Sequence, residues 1–90
     1  MSSFLVSYQL NKQKDYQTLW DEMSRLHAFK TMNSVYLLDW HNDDPESLRS
    51  HLQRFIDDDD FLMVVELVTK PAKHRCYKGT QDWIDARWGR

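Results

Sequence analysis

Residues 61 to 68, FLMVVELV, constrain this chain more than any other stretch: seven of the eight are apolar, and Glu66 is the exception. A strand with apolar side chains on both faces is stable in water only if both faces are covered. The run therefore predicts a central strand, with helices on one side and either the chain's own tail or a second subunit on the other. Length sharpens the point, because 90 residues make one domain with a single core. A core that small leaves much apolar surface outside it, so self-association is the default expectation.

The rest of the chain supplies the partners of that strand. Residues 3 to 10, SFLVSYQL, put Phe4, Val6, Tyr8 and Leu10 on one face and Leu5, Ser7 and Gln9 on the other, the period-two pattern of a half-buried strand. After the polar turn NKQK, Asp15 is positioned to cap a helix whose apolar residues Tyr16, Leu19, Trp20, Met23 and Leu26 recur every three or four positions. From Phe29 to Trp40 the β-favouring sequence FKTMNSVYLLDW predicts two short strands, or one long bent one, broken at Asn33-Ser34. His41 to Asp44 read as a turn, Asp44 as a cap, and Pro45 as the first residue of a second helix with the stripe Leu48, Leu52, Phe55 and Ile56. Four successive carboxylates, Asp57 to Asp60, repel one another and are disfavoured at a helix C-terminus, so they predict a solvated loop.

The order strand-helix-strand-strand-helix-strand is that of a ferredoxin-like α+β domain with an antiparallel sheet, here spanning residues 1 to 69. Residues 70 to 90 form a basic extension that should dock on this core or on a partner subunit. In it, Thr80 is placed to cap a short C-terminal helix, QDWIDARW, with Trp83, Ile84 and Trp88 on one side. The net charge of -2 hides a split: six Lys/Arg against twelve Asp/Glu in residues 1 to 69, and six against two thereafter. Such a tail suits an acidic partner such as nucleic acid, or the acidic body of another subunit. Cys76 is the single cysteine, which excludes an intramolecular disulfide and a cysteine-based zinc cluster. With no basic-then-apolar leader and no run long enough to span a bilayer, the expectation is a cytoplasmic protein with no membrane partner.

Two short segments carry a resemblance. Ser7-Tyr8-Gln9-Leu10 closes the first strand, and Lys30 stands four residues ahead of Ser34-Val35-Tyr36. With the order of elements over residues 3 to 68, they resemble the small second protein of CRISPR adaptation systems and its orphan relatives, a group that includes the VapD toxins. The resemblance implies a homodimer that packs sheet against sheet, with the tail completing the partner's sheet. It also implies a site in which an aspartate after the tyrosine faces its copy across the dimer axis and holds a divalent metal for phosphodiester cleavage. This chain has Gln9 there. A neutral amide binds a hard cation weakly and cannot act as a general base, so Tyr8, Gln9 and Ser34 mark a degenerate form of that site.

No other constellation replaces it. Ser7 shares a strand face with Gln9, but an unassisted serine is a poor nucleophile. His27, His41, His51 and His74 lie on different elements without metal-ligand spacing. The run Asp57 to Asp60 lacks the turn glycine and distal glutamate of a calcium loop. Glu66 could serve as the base of a substitute site near Gln9, satisfy a tail lysine, or lie at the edge of a dimer interface. Trp20 belongs to a helix stripe, Trp83 and Trp88 suit anchoring of the tail, and Trp40 is left open as a stacking surface. The expectation is no catalytic residue, no metal and no cofactor. The best binding candidates, for nucleic acid or a protein partner such as a toxin, are Lys30, Lys70, Lys73, Arg75, Lys78 and Arg87.

Overall fold

In the computed structural model, which describes residues 1 to 10 and 16 to 89, the chain runs β1 (Ser2–Gln9), α1 (Gln17–Arg25), β2 (Phe29–Met32), β3 (Val35–Trp40), α2 (Pro45–Leu52), β4 (Phe61–Glu66) and α3 (Thr80–Trp88). A single 3₁₀ turn, Gln53–Phe55, follows α2. The strands form one antiparallel sheet in the order β2-β3-β1-β4, the ferredoxin-like α+β arrangement. The polar turn at residues 11 to 14 and the expected cap Asp15 lie outside the described residues.

Strand parity builds the core. Phe4, Val6 and Tyr8 of β1 and Tyr36, Leu38 and Trp40 of β3 share the inner face, against Leu19 and Met23 of α1 and Leu48 and Leu52 of α2. The two large polar rings keep their donors paired there: Trp20 Nε1–H donates to the Tyr8 hydroxyl at 2.9 Å, and Trp40 Nε1–H to Ser47 Oγ at 3.2 Å.

The element ends follow local chemistry. Asp44 accepts a hydrogen bond from the Glu46 amide, with Pro45 at the first helical position, so α2 starts where its sequence dictates. α1 stops because His27 turns left-handed at φ 57°, its amide bonding Ser24 O and the Ala28 amide bonding Met23 O. That paired arrangement satisfies two helix-end carbonyls at the cost of a conformation better suited to glycine. Ser34, at φ 61°, closes the β2-β3 turn at the Asn33-Ser34 break, and Thr31 is the extra residue of a bulge between Lys30 and Met32.

Two expectations need correction. β4 is not central: it pairs with β1 alone and ends the sheet. Its apolar run marks an outer face left open, since Leu62 and Val64 pack inward while Phe61, Met63 and Val65 are 58%, 66% and 45% exposed. Nor does Thr80 cap α3. Gly79 does, at φ 98°, where an added Cβ would come 3.2 Å from the Phe29 ring. Thr80 is instead the first helical residue, bonding Tyr77 O at 2.7 Å and the Thr31 hydroxyl at 2.8 Å.

Two substitutions test this account by urea unfolding. Leu38→Ala, at a site with no exposure, is expected to cost about 2–5 kcal/mol. His27→Gly should be neutral or stabilising by up to about 1 kcal/mol, because glycine relieves the left-handed residue.

Candidate functional site

The outer face of the sheet is divided lengthwise. α3 occupies the β2-β3 half: Thr80 bonds Thr31, Ile84 is 1% exposed, and Leu37 on β3 is buried. Arg87 grips Asp39 through both carboxylate oxygens at 2.9 to 3.2 Å, while its guanidinium lies 3.6 Å from the Trp83 ring centroid. Ser3 Oγ donates to the same carboxylate at 2.7 Å. Burial works to raise the Asp39 pKa, but the bonds from Arg87 and Ser3 outweigh it and hold the group below its ordinary value. The β1-β4 half carries no helix. It presents Phe61, Met63 and Val65, with Leu5 and Ser7 between them and Gln9 at the strand end. A groove of about 390 Å³ at that end is lined by Ser7, Tyr8, Gln9, Phe61, Leu62 and Met63.

Tyr8, Gln9 and Ser34, the positions that the resemblance singles out, lie at this end of the sheet, with Tyr8 and Gln9 on opposite faces. The Tyr8 amide donates to Ser34 O at 3.2 Å, and Gln9 follows on the outer face, exposed. Tyr8 itself points into the core, its ring stacked 6.2 Å from Tyr36, whose hydroxyl pKa is raised by burial and by Tyr8. Glu66 does not join them. The register sets it against Phe4 and sets Gln9 against Phe61, so the two stand on opposite faces and five residues apart along the ladder, about 17 Å. Within one chain, a site combining Glu66 with Gln9 does not form.

The six cations separate into two groups. Lys70 donates to Gly89 O at 2.7 Å and lies 3.3 Å from Asp85, which ties the start of the tail to its own helix α3, while Arg87 holds Asp39 and so binds the tail to the body. Lys73, Arg75 and Lys78 are exposed. The Tyr77 amide donates to Thr31 O at 2.9 Å, which brings Arg75 and Lys78 to the β2 edge. Lys30 starts from the same strand, with its ammonium 5.7 Å from the Trp20 ring centroid. Among the described residues, Asp57, Asp59 and Asp60 bring carboxylate oxygens within 4.8 Å of one another at the turn before β4. The Asp57 amide donates to Asp60 Oδ2 at 2.8 Å, as a turn requires.

One cluster was not anticipated. Glu22 of α1 is 5% exposed, bonded by Arg25 Nε at 2.7 Å and Nη2 at 2.5 Å, with His51 Nε2 of α2 2.5 Å from the same carboxylate. The His51 ring lies 5.1 Å from Trp40 and 5.4 Å from Phe55. Arg25 three residues on is visible in the sequence as a helical pair; His51 is not, because its approach depends on how the two helices pack.

No known protein-family model matches this chain. None of its described helices is long and apolar enough to cross a membrane.

The bond from Arg25, opposed by burial and reinforced by His51, lowers the Glu22 pKa from 4.5 to about 2. Because the folded value lies below the unfolded one, the stabilisation is complete above about pH 4.5 and disappears as the pH falls towards 2. Denaturant titrations from pH 7 to 2 should show this loss in the wild type. Glu22→Gln should be less stable at neutral pH and give a flatter profile.

Proposed function

We propose that this chain is a homodimeric, non-catalytic binding module whose second copy joins at β4. The observation that carries the reading is β4 itself: an end strand with apolar side chains on both faces, three of them open to water. Exposed apolar strips of this kind are interaction surfaces far more often than they are solvated. The resemblance in Ser7-Tyr8-Gln9-Leu10 supports a dimer. Gln9 supports the absence of metal-dependent cleavage, because the strand end offers an amide where such chemistry needs a carboxylate.

The exposed cations favour nucleic acid as what the module binds. Lys73, Arg75 and Lys78 lie in one segment, Lys30 starts from the neighbouring strand, and dimerisation doubles the set. A protein partner, such as a toxin to be neutralised, is the reading left if nucleic acid does not bind.

Sedimentation of the purified chain across a range of concentrations should show dimer replacing monomer; a monomer throughout would overturn the dimer. With magnesium or manganese, RNA and DNA should remain intact. Metal-dependent cleavage that Glu66→Ala removes would establish an enzyme instead. Affinity for duplex or single-stranded nucleic acid should fall steeply with salt and by about tenfold or more in Arg75→Glu/Lys78→Glu.

A further inference from the structure

We infer that the second copy binds edge to edge, β4 pairing antiparallel with β4 of its partner about a two-fold axis through Val64, so that two four-stranded sheets become one. This rests on the dimer proposed above and specifies its geometry. The Leu67 amide donates to Ser3 O at 2.8 Å, so the residues of β4 in step with Leu67, namely Val65, Met63 and Phe61, direct their backbone groups towards β1. Leu62, Val64 and Glu66 therefore direct theirs to the outer edge, where no described strand receives them.

The two edges of the sheet are not alike. β2 is four residues long, bulged at Thr31 and carries Lys30, three devices that discourage a further strand. β4 is six residues long, with no bulge in its pairing to β1 and no lysine or proline. It is the edge built to be paired.

Register and charge select the copy as occupant. With Val64 opposite Val64, Leu62 faces Glu66, and all three edge residues exchange hydrogen bonds with their counterparts. On the outer face Met63 then meets Val65, and Phe61 meets Leu67, all apolar. Sliding to place Met63 opposite Met63 would set Asp60 against Glu66 and leave Glu66 outside the apolar ladder. The groove of about 280 Å³ beside this edge is lined by Pro45, Glu46 and Arg49 of α2 with Leu62, Met63 and Val64. The same axis turns Glu46 of each copy towards Arg49 of the other, so the helices above the junction are complementary in charge.

Face-to-face stacking, the arrangement that the resemblance implies, meets opposition that the edge does not. α3 stands on half of the outer face. A two-fold axis across the strands would drive one α3 into the other, and an axis along them would bring the two acidic turns at Asp57 to Asp60 together.

Backbone hydrogen exchange of the wild-type dimer against its dilute monomer distinguishes these arrangements. Protection should appear at the amides of Leu62, Val64 and Glu66. Glu66→Pro removes an edge donor and leaves the β1 ladder intact, and it should weaken the dimer by about tenfold or more, whereas Glu66→Ala should not. Val64→Pro provides a second test of the same edge. Arg49→Glu should weaken association, and Glu46→Arg/Arg49→Glu should restore it. A chain that never dimerises would end the proposed module and this inference together. A dimer whose Leu62, Val64 and Glu66 amides exchange as in the monomer, and which Met63→Lys abolishes while Glu66→Pro spares it, stacks by its faces; the edge assignment alone then falls.

Discussion

The position of β1 between β3 and β4 is the constraint on which everything else depends. Phe4 and Val6 have no exposure, and each is paired on both sides, Phe4 with Leu38 and Glu66, Val6 with Tyr36 and Val64. Burial of such side chains is worth about 1.5–3 kcal/mol apiece. A slip of one residue would send all of them to the outer face, so the register is fixed by the core. That register determines which residues face outward: once Val64 lies beneath the helices beside Val6, Met63 and Val65 can only face out. The open strip is thus a direct consequence of the core.

Each face of the sheet is then tied by one carboxylate. On the inner side Glu22 links Arg25 of its own helix to His51 of α2, and on the outer side Asp39 links Ser3 of β1 to Arg87 of α3. Both carboxylates are held below their ordinary pKa values, by Arg25 above all at Glu22, and at Asp39 by bonds that overcome burial. Acid therefore loosens both helix from helix and α3 from sheet, although the two clusters share no residue. The tail is attached by specific polar contacts around a single well-buried apolar residue, Ile84, rather than by an amphipathic face.

Local pattern made most of the fold legible. Period two in residues 3 to 10, the Asp44-Pro45 start of α2 and the break at Asn33-Ser34 are each determined by residues within a few positions. The place of β4 was not legible, because a doubly apolar strand looks the same whether a layer covers its second face or a partner is still to come. Thr80 misled for a related reason: threonine before a helix is a capping signal, but the chain turns left-handed at Gly79, so the helix begins with Thr80 itself. Of the candidate residues, Tyr8, Gln9 and Ser34 come to one end of the sheet through strand pairing, but Tyr8 turns into the core while Gln9 faces out. Glu66 and Gln9 cannot be separated by reading a sequence, since register alone sets their opposite ends and faces. Likewise, which lysines and arginines are engaged within the fold depends on where α3 lies.

An edge-paired dimer would also have a consequence for those cations. Eight strands in one sheet have seven gaps, and at about 4.8 Å each the two β2 edges lie about 34 Å apart. Arg75 and Lys78 are held at that edge by the Tyr77 to Thr31 bond, so an edge-paired dimer carries its two basic clusters at its extremities. Stacked faces, with α3 beside the junction, would hold the clusters in a different relation. The way β4 finds its partner therefore decides whether the tail cations act as one surface or as two.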